Sequence, residues 1–431
     1  MPVFALLSLL ITAAALFALL NHRVLRLPST IGIMLLALGL SAALIGAGHA
    51  MPSIRDWAAD VTGRIDFNQI VLHGMLAFLL FAGALQLDMR ALAREWLPIA
   101  ALAAGATMLS TAAVAGLSFL AFRVIGLDVP WLGCLLFGAL ISPTDPIAVL
   151  AIMRRVGAPP VLVTQLAGES LINDGIGAVL FLTLLAASRS GSMPALHDVL
   201  RLLIVQAGGG ALLGVVAGYA VSSMLHLVDD YQVEVLLTLA LAMGGYALAD
   251  AFHVSGPLEA VAAGMMISAW GRPSAMSRST REYVDKFWEL IDEILNAVLF
   301  LLLGLEVLLI PYDPRFVLAG IVAVVVVLLA RLSSVGAVIG LVRIVRSQMR
   351  GSVRVLTWGG LRGGLSVALA LSLPDTRYRN LLLAATYIVV VFSIVGQGLT
   401  VRGFIVSLKL KLRNAEAEEL AFVREPGRRR F

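Results

Sequence analysis

The stretch ALISPTDPIAVL, Ala139–Leu150, interrupts an apolar run with two prolines that flank a threonine and an aspartate. Each proline removes a backbone donor and displaces a carbonyl in the preceding turn, so a helix must break near Thr144 and Asp145. A second stretch, TWGGLRGGLSVALA (Thr357–Ala370), places four glycines around Arg362, and glycine weakens a helix through backbone entropy. Discontinuous helices at corresponding positions in two halves of a chain point to a transport site near mid-membrane. Proline and glycine are also common in ordinary membrane helices. A charge at the centre of each break is what that plainer reading leaves unexplained.

The membrane setting follows from composition. The chain has 431 residues, 60% hydrophobic and 14% charged, where soluble domains carry about 25% charged residues. Apolar runs of roughly 20 residues match a hydrocarbon core of about 30 Å. They give about thirteen spans: 3–20, 28–48, 68–87, 96–122, 130–152, 160–187, 199–225, 232–250, 255–271, 288–310, 315–342, 352–373 and 380–407. The expected fold is an all-α polytopic membrane protein. Spans 1–6 and 8–13 form two inverted six-helix repeats around span 7, with the broken helices crossing at mid-membrane. Segment 51–66 is too polar to span, and 276–287 reads as an interfacial helix. Residues 1–20 lack a basic start and a cleavage site and read as a span, not a signal peptide. The segment 408–431 reads as a short charged tail with no regulatory domain.

An odd number of spans puts the termini on opposite sides. With the N-terminus outside, the inner loops collect Arg23, Arg26, Arg90, Arg94, Arg154, Arg155 and the clusters Arg272–Lys286 and Arg343–Arg354, as the positive-inside rule requires. The loop HLVDDYQ, free of Lys and Arg, is the exception. The net charge of +5 is this loop bias, and no nucleic-acid partner is needed to explain it. One cysteine, Cys134, excludes a disulfide framework, and the six histidines show no paired metal-ligand spacing. Walker, G-x-S-x-G and His-Glu-x-x-His sequences are absent. The chain reads as neither an ATPase nor an intramembrane enzyme, and as needing no cofactor.

The sixth span carries the densest polar cluster. In ESLINDGIGAVLF, Glu169–Phe181, residues Ser170, Asn173, Asp174 and Gly177 fall at i, i+3, i+4 and i+7 on neighbouring faces. An acid at mid-bilayer costs about 2.5–3.5 kcal/mol on insertion scales and is functional by default. Asp174 therefore reads as a carboxylate that binds either a proton or a small cation, the bland alternative being a polar residue that joins two helices. Glu169 lies about 100° around the helix, and the expected partner for its charge is Arg362, as a structural ion pair. Thr144 offers a hydroxyl and a carbonyl to a hard monovalent ion. Two roles fit Asp145: complement to the positive end of a half-helix, or a titrating ligand in its own right. Weaker expectations pair Glu306 with Arg331 and put Asp250, Glu259 and Glu234 at the membrane surface.

SPTDPIAVLAI, GESLINDG, GPLEAVAAGMMI, FWELIDEILNAVLFLLLGLE, WGGLRGGLSVALALSLP and VFSIVGQGLTV follow in this order between residues 80 and 408. Together they resemble the monovalent cation/proton antiporters, in the bacterial NhaP-like branch. The resemblance implies a homodimer in the bacterial inner membrane. It implies dimerisation helices at about 3–87 and 199–310, and mobile core helices at about 96–187 and 315–407. It also implies a monovalent cation held by Asp174, Thr144 and Ser170, with Asn173 as organising neighbour, Glu169 and Arg362 as the ion pair, and transport without ATP. The Asn173–Asp174 pair matches the electroneutral branch. One departure stands out: LLFAGALQLD puts Ala82 where many relatives carry a glutamate, removing any accessory cation contact there. The expected activity is exchange of sodium, or lithium, for protons by alternating access. Potassium/proton exchange, a cation channel and a non-transporting sensor are the alternatives.

Overall fold

A computed structural model describes residues 3–50, 69–190, 196–309, 313–346, 349 and 351–407. The polar segment 51–66 and the tail 408–431 lie outside the described residues. Within them the chain is helical throughout, apart from turns and one isolated antiparallel bridge between Asp145 and Leu361. The α-helices of eight or more residues are α1 (Val3–Leu20), α2 (Ser29–Ala50), α3 (Leu76–Leu85), α4 (Thr107–Val124), α5 (Trp131–Ile141) and α6 (Ile147–Arg155). They continue with α7 (Pro160–Ser190), α8 (Leu196–Leu225), α9 (Tyr231–Ala251), α10 (Gly256–Met266) and α11 (Arg278–Leu305). The last four are α12 (Pro314–Val345), α13 (Ser352–Gly359), α14 (Gly364–Leu371) and α15 (Arg379–Val391). Eight helical stretches among the described residues are long and apolar enough to cross a bilayer.

Helix starts follow local capping chemistry. Asp230, Ser277 and Asp313 each accept from backbone N–H groups of the first turns of α9, α11 and α12, satisfying donors that a helix terminus leaves orphaned. The segment 276–287 is not a separate interfacial helix: it forms the first turns of α11, continuous with the span that follows. Its charged face and the apolar run after Leu295 are compatible with one uninterrupted helix.

Two packing groups emerge. On one side α8 packs on α10, α10 on α3 and α11 on α2; on the other α12 packs on α15 and α4, and α4 on α5. The long α7 touches both, lying against α5, α8 and α10. Helices α1 and α8 leave most of their apolar surface uncovered, as helices facing lipid or another chain do. Glu234 and Glu259, expected at the surface, are fully buried. Gly245 and Gly214 make room for Glu259, since a Cβ on either would strike its side chain or backbone. Asp250 is exposed near the end of α9.

Helices α4 and α5 approach closely, and a Cβ on Gly138 would sit 2.4 Å from the Thr111 carbonyl oxygen. Overpacking of this kind costs about 1–3 kcal/mol. Gly138→Ala should lower the melting temperature in detergent, while Gly39→Ala, with open space around it, should leave melting unchanged; differential scanning fluorimetry reads both.

Candidate functional site

Both expected breaks are present, and they meet. Helix α5 stops at Ile141 and α6 resumes at Ile147; α13 stops at Gly359 and α14 resumes at Gly364. The Asp145 N–H donates to the Leu361 carbonyl at 2.8 Å, so the two interruptions cross backbone to backbone. A Cβ at Gly363 would lie 2.2 Å from Asp145 Oδ2, and only glycine permits this approach. Each charge complements a half-helix end. Asp145 Oδ1 accepts from the Ile147 N–H at 3.0 Å, at the start of α6. Arg362 Nη1 donates to the carbonyls of Ser142 (2.6 Å) and Pro143 (2.9 Å), beyond the end of α5. The macrodipole favours both placements. Carbonyls that the prolines were expected to free for a cation are thus, in two cases, taken by a guanidinium.

From α7, Asn173 locks onto the first break. Its Oδ1 accepts from the Thr144 N–H at 3.1 Å and its Nδ2 donates to Thr144 Oγ1 at 2.9 Å. The Thr144 and Ser170 hydroxyls are 2.8 Å apart. One turn along, Asp174 is half-buried, makes no hydrogen bond to the described residues, and lines a cavity of about 340 Å³. Thr144, Asp145 and Ser170 line the same cavity. These four expected residues come together around one space. Asn173 stands behind them, fully buried, holding Thr144 in place.

The expected ion pair is corrected. Glu169 pairs with Arg331 of α12, Nη1 to Oε1 at 2.5 Å, both side chains almost fully buried. Arg362 is not its hydrogen-bonded partner. Arg331 also donates to the Leu356 carbonyl at 3.2 Å, and a Cβ on Gly360 would lie 2.8 Å from its guanidinium. The pair therefore ties α7 and α12 to the last turn before the second break. It also removes the expected Glu306–Arg331 pair, because Arg331 is already committed. Sequence gives the depth of a charge in a span but not its azimuth, and two arginines at similar depth are indistinguishable on that basis.

Ala82 is fully buried and does not line the cavity, although its neighbour Gly83 does. Sequence reasoning missed the α11 wall. Glu289, Asp292, Glu293 and Asn296 of α11 line the same cavity as Asp174. Their i, i+3, i+4, i+7 spacing is visible in FWELIDEILNAV, and that stripe was the available signal.

Residues 11–406 match the family described as sodium/hydrogen exchanger, transmembrane. The chain belongs to the sodium/hydrogen exchanger family. Similarity to other members of the exchanger family runs nearly end to end. The chain is 46% identical to the Na(+)/H(+) antiporter NhaP of Pseudomonas aeruginosa over 92% of its own length and 95% of that protein's. It is 34% identical to the Na(+)/H(+) antiporter NhaH of Halobacillus dabanensis, over 93% and 96% respectively. The structure of the sodium proton antiporter MjNhaP1 from Methanocaldococcus jannaschii at pH 8 superposes with a TM-score of 0.72 at 20% identity, covering 96% of this chain and 99% of that one. At that identity the likeness establishes the exchanger fold.

Breaking a buried ion pair by removing one partner costs about 3–5 kcal/mol, because the other charge is left uncompensated. Glu169→Gln and Arg331→Gln should each lower the melting temperature strongly, and the double variant should recover part of the loss. Glu169→Gln combined with Arg362→Gln should show no such recovery. Thermal melts of wild type, these four variants and the Arg362→Gln single decide between the two partners.

Proposed function

We propose that this chain is a secondary active antiporter that exchanges sodium for protons, one for one, by alternating access at Asp174. The observation that carries the reading is a half-buried carboxylate without a hydrogen-bond partner among the described residues, set in a cavity beside two hydroxyls. A monovalent cation at this place takes oxygens from Asp174, Thr144 and Ser170, a hard-ligand set suited to sodium or lithium. A proton on Asp174 removes the charge that holds the cation, so the two ligands exclude each other. Sodium is supported by the relatives, which are named as sodium/proton antiporters.

Stoichiometry follows from which carboxylates are free. Glu169 is held by Arg331 and does not carry a second proton. Asp145 is engaged at the start of α6, which supports its helix-end role. One exchanging carboxylate moves one cation one way and one proton the other, with no net charge.

Movement is assigned to the helix group that carries the crossing, 96–187 and 315–407, against a scaffold of 3–87 and 199–310. The cavity is lined from both groups, which supports a sliding boundary there. Thirteen spans in two inverted six-helix repeats fit the matching interruptions of α5–α6 and α13–α14. The uncovered apolar faces of α1 and α8 support a homodimer. We place the protein in the bacterial inner membrane with its C-terminus in the cytoplasm, from the loop charges.

Proteoliposomes with an internal pH dye test the reading with sodium, lithium and potassium in parallel. Wild type should dissipate a pH gradient on adding sodium, and Asp174→Asn should do no better than empty liposomes. Exchange surviving in Asp174→Asn would sink the mechanism. Cation ligands must be deprotonated, so each unit fall in pH should raise the sodium KM, by up to about tenfold where the two compete. An imposed membrane potential should leave the rate unchanged; a rate that follows it would make Asp145 a second titrating group.

A further inference from the structure

The α11 wall of the cavity contains an oxygen that the protein leaves unsatisfied. Asn296 is 3% exposed, lines the cavity, and its Oδ1 has no donor among the described residues. Its side chain lies beside the Asp292 carboxylate one turn earlier and interacts with it, while the oxygen stays available. A buried acceptor without a partner is costly unless something else supplies positive charge. Along the same face Glu289 and Glu293 are exposed and Asp292 is half-buried. The acids thus run from solvent inward and end at the Asn296 oxygen.

Other groups in the cavity sharpen the choice of ligand. Five acids line it, Asp145, Asp174, Glu289, Asp292 and Glu293, against two arginines, Arg154 and Arg155, at the end of α6. Asp292 is close enough to Asp145 for the two charges to interact, and Asp145 in turn to Asp174. An unsatisfied amide oxygen beside a carboxylate is an oxygen-only ligand set, which hard cations prefer. Calcium takes six to eight oxygens, and two protein oxygens completed by water fit a partly hydrated monovalent ion better. Such a site is weak, as a position on a path must be if the ion is to leave it.

We infer that Asp292 and Asn296 form a second monovalent-cation site, a waiting position between solvent and Asp174. The site rests on the antiport reading, and it adds a residue pair that positions the ion without taking part in the exchange. Its consequence is kinetic. A negatively lined cleft raises local cation concentration and association rate, an effect that fades with ionic strength. Losing the Asp292 charge weakens capture while leaving the Asp174 exchange step intact.

The test uses the full chain in proteoliposomes with a sodium series at fixed pH, repeated with added choline chloride. Asp292→Asn should raise the sodium KM about five- to tenfold with the maximal rate within about twofold. The dependence of KM on choline chloride should flatten. Asn296→Ala should shift KM in the same direction. Adding Asn296→Asp to Asp292→Asn, which moves the carboxylate one turn inward, should bring KM back toward wild type. Crystals soaked in thallous ion should show anomalous density between Asp292 and Asn296, separate from that at Asp174. An unchanged KM in an active Asp292→Asn protein overturns the inference, and so does a fall in maximal rate alone. A variant that fails to purify shifts the decision to Asn296→Ala and the thallous-ion density. If wild type itself exchanges nothing, the antiport reading falls, and thallous-ion density at Asp292 and Asn296 still decides this one.

Discussion

A helix that breaks inside hydrocarbon leaves backbone N–H and C=O groups that water cannot reach, and the membrane tolerates such breaks only where protein or a cavity satisfies them. Two broken helices crossing at one point solve this jointly. Backbone of one strand of the crossing meets backbone of the other through Asp145 and Leu361. Arg362, contributed by the second break, serves the carbonyls exposed by the first. Asn173 takes the Thr144 N–H from the α7 side. Of the three carboxylates Asp145, Glu169 and Asp174, only Asp174 is left without a hydrogen bond to the described residues, and it lines the cavity together with Thr144 and Ser170.

The polar groups at the centre therefore divide by whether the fold has already used them. Glu169 and Arg331 neutralise each other and hold α7 to α12. Asp145 and Arg362 neutralise helix ends of opposite sign. None of these four is free to change charge without disturbing packing. Asp174 is free because its neighbours on the helix are occupied, and the chemistry follows from that difference in commitment more than from residue type.

Much of this was legible from the chain. Proline and glycine marked both breaks, the i, i+3, i+4 spacing put Ser170, Asn173 and Asp174 on adjoining faces, and hydropathy located the long spans. Partner choice was not legible. Glu169 had two arginines at comparable depth, and only three-dimensional azimuth gives it Arg331, with Gly360 clearing the space. Arg362 stands where carbonyls, not a carboxylate, are nearest. The α11 wall escaped for a different reason: Glu289, Asp292 and Glu293 precede the apolar run and look like a solvated helix face until α5–α6 and α7 are packed opposite. Glu259 escaped because the glycines that admit it lie on two other helices, α8 and α9.

The Asn173 amide also widens the choices open to protons it does not own. Because Nδ2 donates to Thr144 Oγ1, the Thr144 hydroxyl does not need its own hydrogen for that contact and can give it to Ser170, 2.8 Å away. The Ser170 hydrogen is then left over for a third acceptor. An aspartate in the same position has no hydrogen to give. Thr144 would have to turn its hydrogen toward the carboxylate, and the 2.8 Å contact would then consume the hydrogen of Ser170. A single exchange of nitrogen for oxygen, one hydroxyl away from the cavity, leaves this chain of dipoles only one direction. With it changes the count of lone pairs that a cation passing Ser170 would meet.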